Sequence, residues 1–223
     1  MIYEVARSAL TPLARAYYRP VVEGTEHVPR TGAVILASNH LAAVDSVAIP
    51  LAAPRRVAFL AKAEYFHGGG LKTRLTGWGL RTLGAVPVRR GANRSALASL
   101  DEALGVLAAG DAFGIYPEGT RSLDGRLHRG RTGVAWLALT ADVPVVPVAV
   151  AGTERILPPG ARLPRRCPVT VRFGAPLTFP RWRGMATSAR ARRAVTDEIM
   201  DAIGELSGQV RAPHYHELPT GDR

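Results

Sequence analysis

The sequence predicts an α/β fold, a mainly parallel central sheet covered by helices on both faces, with an N-terminal amphipathic helix. Three observations predict it. Short apolar runs such as Ala33–Ser38 and Ala112–Tyr116 lack polar alternation, which is the pattern of strands buried on both faces. Segments with one apolar stripe at helical spacing alternate with those runs. The chain has 223 residues, 47% of them hydrophobic, enough to bury a core without a staple. Cys167 is the lone cysteine, so a disulfide framework is excluded and a reducing compartment fits.

In order along the chain, residues 2–18 place Ile2, Val5, Ala9, Leu10, Leu13 and Tyr17 on one helical stripe, with Arg7, Arg15 and Arg19 off or beside it. Such a helix either docks on the core or lies on a membrane surface. The expected division is a membrane-proximal helix at 1–20 and a single domain at 21–223. Pro29–Gly32 is a turn, Ala33–Ser38 a strand, Ser46–Ala52 a helix, and Arg56–Ala61 a strand. His67–Gly70 is a flexible loop and Ala85–Val88 a short strand. Ser95–Ala109 is a helix with Leu97, Leu100, Leu104 and Leu107 along one face. Ala112–Tyr116 is a strand, and a polar loop runs from Glu118 to Arg131. Thr132–Thr140 is a helix, Val143–Val150 a strand interrupted by prolines, Val169–Phe173 a strand, and Ala186–Leu206 a closing amphipathic helix.

Two classes are disfavoured. A membrane-spanning helix needs about 20 mostly apolar residues. The best stretch, Val134–Gly152, contains Asp142, Pro144 and Pro147, and Glu4 and Arg7 interrupt any secretory leader. The net charge is +11, and Arg155–Arg193 holds ten Arg and no acid, which predicts attraction to nucleic acid, anionic lipid, or an acidic carrier or nucleotide. Nucleic acid fits poorly: aromatics are 6%, no zinc-finger or RNP-type pattern occurs, and the basic tract has few aromatics, with Trp182, between Arg181 and Arg183, the one stacking candidate.

Parallel sheets bind ligands at the carboxyl ends of their strands, so the polar residues there carry the chemistry. The first strand ends in Ser38-Asn39-His40, with Asp45 five residues past His40. On one helix that spacing separates side chains by about 140°. With His40 on the loop and Asp45 at the next helix's start, the carboxylate can accept from Nδ1–H and leave Nε2 to take a proton. Ser38 and Ser46 lie nearby, yet neither sits in a G-x-S-x-G elbow, so the substrate must supply the nucleophile. Tyr116-Pro117-Glu118-Gly119-Thr120-Arg121-Ser122 leaves a strand end; Gly119 permits a tight turn and Arg121 presents a fork suited to phosphate. Gly84–Arg90 delivers Arg89 and Arg90 to opposite faces of a strand. Val143–Val148 carries Pro144 and Pro147, which predicts an edge strand or a strand end.

Together, in order and spacing, these four blocks resemble the glycerolipid acyltransferases, in particular the 1-acyl-sn-glycerol-3-phosphate acyltransferase type. The resemblance runs from about Val21 to Pro176. It includes Leu127-His128-Arg129-Gly130-Arg131-Thr132-Gly133 and Arg172-Phe173-Gly174-Ala175-Pro176-Leu177. It implies acyl transfer from acyl-CoA or acyl carrier protein to the free hydroxyl of 1-acylglycerol 3-phosphate, giving phosphatidic acid. It makes Asn39-His40…Asp45 the catalytic block, with His40 and Asp45 catalytic, and assigns Arg90 and Glu118-Gly119-Thr120-Arg121 to the phosphorylated acceptor; Asn39 and Ser122 are expected among the substrate-binding residues. Pro147 is expected to help shape the donor site. The same chemistry on another lysophospholipid or an amino-acid-derived lipid is the alternative. Arg89 stands where many relatives carry an acid, and His128 where an aromatic is common; both bear on acceptor preference. No cofactor or metal is expected, although His214 and His216 have the spacing to take a stray divalent ion. The implied location is peripheral, on the cytoplasmic face of the cell membrane, with an anionic lipid surface as partner.

Overall fold

The computed structural model describes residues 18–62, 70, 85–88, 94–156 and 163–216. The predicted N-terminal helix lies outside these residues except for Tyr18. So do Arg89, Arg90 and the His67–Gly70 loop except Gly70.

Among the described residues, seven strands form one sheet. They are β1 (Val21–Glu23), β2 (Val34–Ser38), β3 (Val57–Lys62), β4 (Ala85–Val88), β5 (Ala112–Ile115), β6 (Val145–Ala151) and β7 (Thr170–Phe173). Their order across the sheet is β1-β7-β6-β2-β5-β3-β4. Every pairing is parallel except β6 with β7. β2, with β5 and β6 on either side, is buried along its whole length, which explains why its sequence is an unbroken apolar run ending in Ser38.

The helices are α1 (Asp45–Ala52), α2 (Arg94–Ala108), α3 (Gly133–Ala141) and α4 (Ala189–Ser207). Helices cover both faces of the sheet, as the sequence predicts. Ile35, Ala37, Phe113 and Val145 pack against α2, α3 and α4 on one face. Val34, Leu36, Val146 and Val148 pack against Ile49 of α1 on the other. The closing helix begins at Ala189 rather than Ala186 because the Ser188 side chain caps it, its Oγ accepting from Ala191 N–H at 3.3 Å.

Two features depart from the expected pattern. β1 goes unread in the sequence because three residues are too short to show a period; its register with β7 runs from Val21 opposite Thr170 to Glu23 opposite Arg172. β6 is not an edge strand, and of its two prolines only Pro144 lies at a strand end. Pro144 precedes the strand, and Pro147 faces a break in the neighbouring ladder. Continuing the Val148–Phe173 register would set Val145 opposite residue 176, yet Val145 pairs with Leu177. The chain after β7 therefore carries one extra residue opposite Pro147, where Gly174 N–H still donates to the Pro147 carbonyl at 2.8 Å. A bulge is where a central strand tolerates a residue with no N–H to give.

Candidate functional site

β2 delivers Asn39 and His40 to the carboxyl end of the sheet, and the chain then turns into α1. Asp45, the first residue of α1, is fully buried and folds its carboxylate back over this turn. Its Oδ2 accepts from His40 Nδ1–H at 2.8 Å, from Leu41 N–H at 2.7 Å and from Ala42 N–H at 2.8 Å. Oδ1 is buried and has no hydrogen-bond partner among the described residues. With Nδ1 committed as donor, Nε2 keeps a lone pair, and the His40 side chain retains 15% of its surface exposed.

Tyr116, at the end of β5, stacks on the His40 ring with centroids 3.8 Å apart and an interplanar angle of 8°. Its hydroxyl is bonded to Ser46 Oγ at 2.9 Å. Burial, together with the nearby Asp45 charge, pushes the phenol well above its ordinary value, against the opposing Ser46 bond. Tyr116 is thus a neutral wall to the His40 imidazole. The pairing that revealed it spans 76 positions, from 40 to 116, and no local pattern signals it. Ser38 Oγ donates to Asn39 Oδ1 at 3.3 Å, and Cys167 Sγ to the Gly152 carbonyl. Among the described residues no serine or cysteine side chain bonds to His40.

The loop after β5 grips the His40 backbone from both sides. Glu118 Oε2 accepts from His40 N–H at 3.3 Å, and Ser122 N–H donates to the His40 carbonyl at 2.7 Å. Glu118 Oε1 accepts from His128 N–H at 2.8 Å, which ties the far side of the loop to the same carboxyl group. Burial raises the Glu118 pKa, opposed by those two backbone bonds and by the His128 and His216 rings. Ser122 Oγ donates within the loop, to the Arg126 carbonyl at 2.7 Å and to Asp124. Gly119 takes φ +80°, a region an L side chain rarely enters, and its N–H closes the turn on the Tyr116 carbonyl at 3.0 Å.

The expected substrate-binding residues thus divide. Asn39, Glu118 and Ser122 are buried and turn their polar atoms to the protein. Gly119 and Arg121 are exposed and Thr120 half-buried, and among the described residues Arg121 has no ion-pair partner. Pro147 lies away from this group. Its Cγ packs beside Gly174 and Leu206 on the α4 side of the sheet, whereas His40 stands over Tyr116 on the α1 side.

Beside α1 runs an open apolar groove of about 590 Å³, lined by Val44 just before α1, Val47 and Leu51 of α1, Val22 of β1, Val171 of β7, and Tyr18. Val44 adjoins Asp45, so the groove starts next to the His40–Asp45 pair.

The arginine-rich tract does not form one unpaired face. Arg172 pairs with Glu23 and Arg183 with Asp142, acids brought from elsewhere in the sequence, and Arg193 pairs with Asp197 one turn along its own helix. Arg165, Arg166 and Arg190 stay exposed. His214 and His216 set their rings edge-on to His128, at 5.3 and 4.5 Å between centroids. Among the described residues no cluster of three or more His, Cys, Asp or Glu has the arrangement to hold a metal ion.

Residues 19–151 match the family model described as Acyltransferase. A chloroplastic 1-acyl-sn-glycerol-3-phosphate acyltransferase of Arabidopsis thaliana is 31% identical over 146 residues, 65% of this chain and 39% of that protein. A 1-acyl-sn-glycerol-3-phosphate acyltransferase of Limnanthes douglasii is 30% identical over 163 residues, 72% of this chain and 55% of that protein. The crystal structure of the 1-acyl-sn-glycerophosphate acyltransferase of Thermotoga maritima is similar at a TM-score of 0.65 and 27% identity, over 91% of this chain and 82% of that one. The chain spans 39% to 55% of the length of these curated relatives.

Proposed function

Because this chain belongs to the Acyltransferase family, we propose that it moves a fatty acyl group from a thioester to the free hydroxyl of 1-acylglycerol 3-phosphate, giving phosphatidic acid. The observation that carries the reading is the His40 Nδ1–H bond of 2.8 Å to a buried Asp45 carboxylate. It fixes the tautomer whose Nε2 is a base. The names of the relatives supply the substrate class.

His40 Nε2 takes the proton of the acceptor hydroxyl as its oxygen attacks the thioester carbonyl. The Asp45 carboxylate stabilises the imidazolium that results. The tetrahedral intermediate collapses, the carbon–sulfur bond breaks, and the imidazolium returns the proton to the departing thiolate. Acyl-CoA and acyl carrier protein both supply such a thioester, and no further cofactor enters the scheme. Arg121 faces the acceptor's phosphate, with Thr120 and the Gly119 turn beside it, and Arg90 joins it in this role. The apolar groove beside α1 has the lining an acyl chain needs.

The acceptor is a bilayer lipid, so the reading sets the chain peripherally against the cytoplasmic face of the membrane. Exposed Arg165, Arg166 and Arg190 favour an anionic surface there. No helix among the described residues is long and apolar enough to cross a membrane.

The test is to incubate the purified protein with each thioester donor and a panel of lysolipids, and to follow the acylated product. Phosphatidic acid from 1-acylglycerol 3-phosphate is expected, and His40→Ala is expected to lower turnover by ~10²–10⁴-fold with the fold intact. Preference for a different lysolipid, or turnover by His40→Ala close to wild type, overturns the reading.

A further inference from the structure

Asn39 has all its side-chain hydrogen-bonding positions filled. Its Oδ1 accepts from Val150 N–H at 2.8 Å and from Ser38 Oγ at 3.3 Å. Its Nδ2 donates to the Val150 carbonyl at 3.0 Å and to Gln209 Oε1 at 2.8 Å. Three of these four partner groups belong to β2, which Asn39 directly follows, and to its neighbour β6. The fourth, Gln209, arrives from 170 residues away.

It arrives because α4 ends in a left-handed turn at Gly208, φ +66°, which sends the chain back across the loop after β5. There it runs parallel to the loop. Leu127 N–H donates to the Val210 carbonyl at 3.0 Å, Ala212 N–H to the Leu127 carbonyl at 2.8 Å, and Arg129 N–H to the His214 carbonyl at 3.0 Å. At the head of this strap, Gln209 Nε2 donates to the Gly125 carbonyl at 2.8 Å. One carboxamide therefore joins the residue before His40 to the loop whose Glu118 and Ser122 hold the His40 backbone.

We propose that Gln209 is a positioning residue for His40: its carboxamide fixes the end of β2 against the Glu118–Arg131 loop, and so sets where the imidazole stands. The proposal rests on the reading of His40 as the general base. Gln209 touches no reacting atom. It acts through Asn39 on one side and Gly125 on the other, and a side chain of equal length without polar ends cannot replace it. A base misplaced by a fraction of its bond length to the attacking hydroxyl loses rate without losing substrate affinity.

The experiment compares wild type with Gln209→Ala and Gln209→Met in the full chain. Three quantities are read: kcat and KM for each substrate, the thermal midpoint, and backbone amide exchange over residues 36–46 and 118–131. Both variants are expected to lose about tenfold in kcat, with KM unchanged. Amide exchange is expected to quicken in both segments while the midpoint stays near wild type. Methionine restores the bulk but neither hydrogen bond, so recovery of kcat in Gln209→Met overturns the proposal. Unchanged exchange in the two segments overturns it as well, as does a kcat loss that merely tracks the folded fraction. A wild-type protein inactive on every acceptor refutes the functional reading instead, and the exchange rates then decide the positioning role alone.

Discussion

Tyr116 lies flat on the His40 imidazole, ring centroids 3.8 Å apart and planes 8° from parallel. Two anchors hold the imidazole: Asp45 fixes its edge and Tyr116 fixes its face. The phenol is itself fixed, by Ser46 at its hydroxyl and by the Phe59 ring 5.3 Å away. Behind Phe59 stands Gly114 of β5. A Cβ built there would lie 2.1 Å from Phe59 Cζ, so the Phe59 ring occupies the space a side chain at 114 would take. A line of contacts thus runs from a glycine in mid-sheet to the proposed base.

The line can be tested at both ends. Tyr116→Phe keeps the stacked ring and loses only the bond to Ser46. Tyr116→Leu loses the flat face. Turnover is expected to stay near wild type in the first and to fall by about tenfold in the second, as a base loses its orientation. Steady-state kinetics at saturating substrates separate the two.

At the other end, Gly114→Ala forces the buried Phe59 ring off its seat. Overpacking of this kind costs about 1–3 kcal/mol. A lowered denaturation midpoint is expected, and Gly114→Ala/Phe59→Leu is expected to recover part of it, because the shorter side chain vacates the space. Urea unfolding of the two proteins checks the order.

Glu118 carries a pH signature. Burial raises its pKa, so the ionised form is the one the fold disfavours. Its contribution is full below the ordinary glutamate value of about 4.3 and is lost as pH rises through the elevated folded value. Glu118→Gln removes that slope from the stability curve. It also sets an amide NH₂ against one of two backbone N–H donors, at His40 or His128, which costs about 1–3 kcal/mol. Thermal midpoints taken across the acid-to-neutral range are expected to be lower for Glu118→Gln, with the gap narrowing as pH rises.

Asp124 has the opposite sign. Its bond to the His128 ring holds its carboxyl well below the usual carboxylate range, helped by Arg126 N–H and Ser122 Oγ. Its contribution is therefore full above about pH 4 and is lost as pH falls below that. Asp124→Asn is expected to leave stability near pH 7 slightly reduced and to flatten its decline in acid. The same midpoint measurements, extended to low pH, decide it.

Arg121 is exposed and has no ion-pair partner among the described residues. Arg121→Ala is expected to raise KM for the phosphorylated acceptor by roughly 10- to 150-fold, the worth of a charge-assisted hydrogen bond, and to leave KM for the thioester unchanged. Varying each substrate in turn distinguishes this from a donor-site defect.

What the sequence disclosed, and what it hid, follows from range. β2, β5 and the helix α2 were legible because their patterns are local: an unbroken apolar run, or leucines three and four apart. The His40–Asp45 pairing was legible because five residues suffice to turn a loop into a helix. Asn39, Glu118 and Ser122 were legible as polar residues near the site. Their direction was not, since each turns inward to a partner that only the fold supplies: Val150 and Gln209, His128, Arg126. Pro147 misled for the same reason. A proline in a strand speaks of a missing N–H, and only the neighbouring ladder shows whether a bulge has made room for it. The arginine tract looked uniform along the chain because Glu23, Asp142 and Asp197 lie outside it.

The pairing of β1 with β7 joins Val21 to Thr170 and so closes a loop of 149 residues. Contacts of that separation form late in folding, after the strands between them have found their places. Until then β7, antiparallel to β6 and finished with charged and apolar residues alternating, presents an open edge with unpaired backbone groups. Among the described residues, the three of β1 are what caps it. A chain trimmed past Glu23, or one caught before β1 docks, offers that edge to another copy of itself. Such a species would be lost to aggregation rather than to proteolysis of a disordered end.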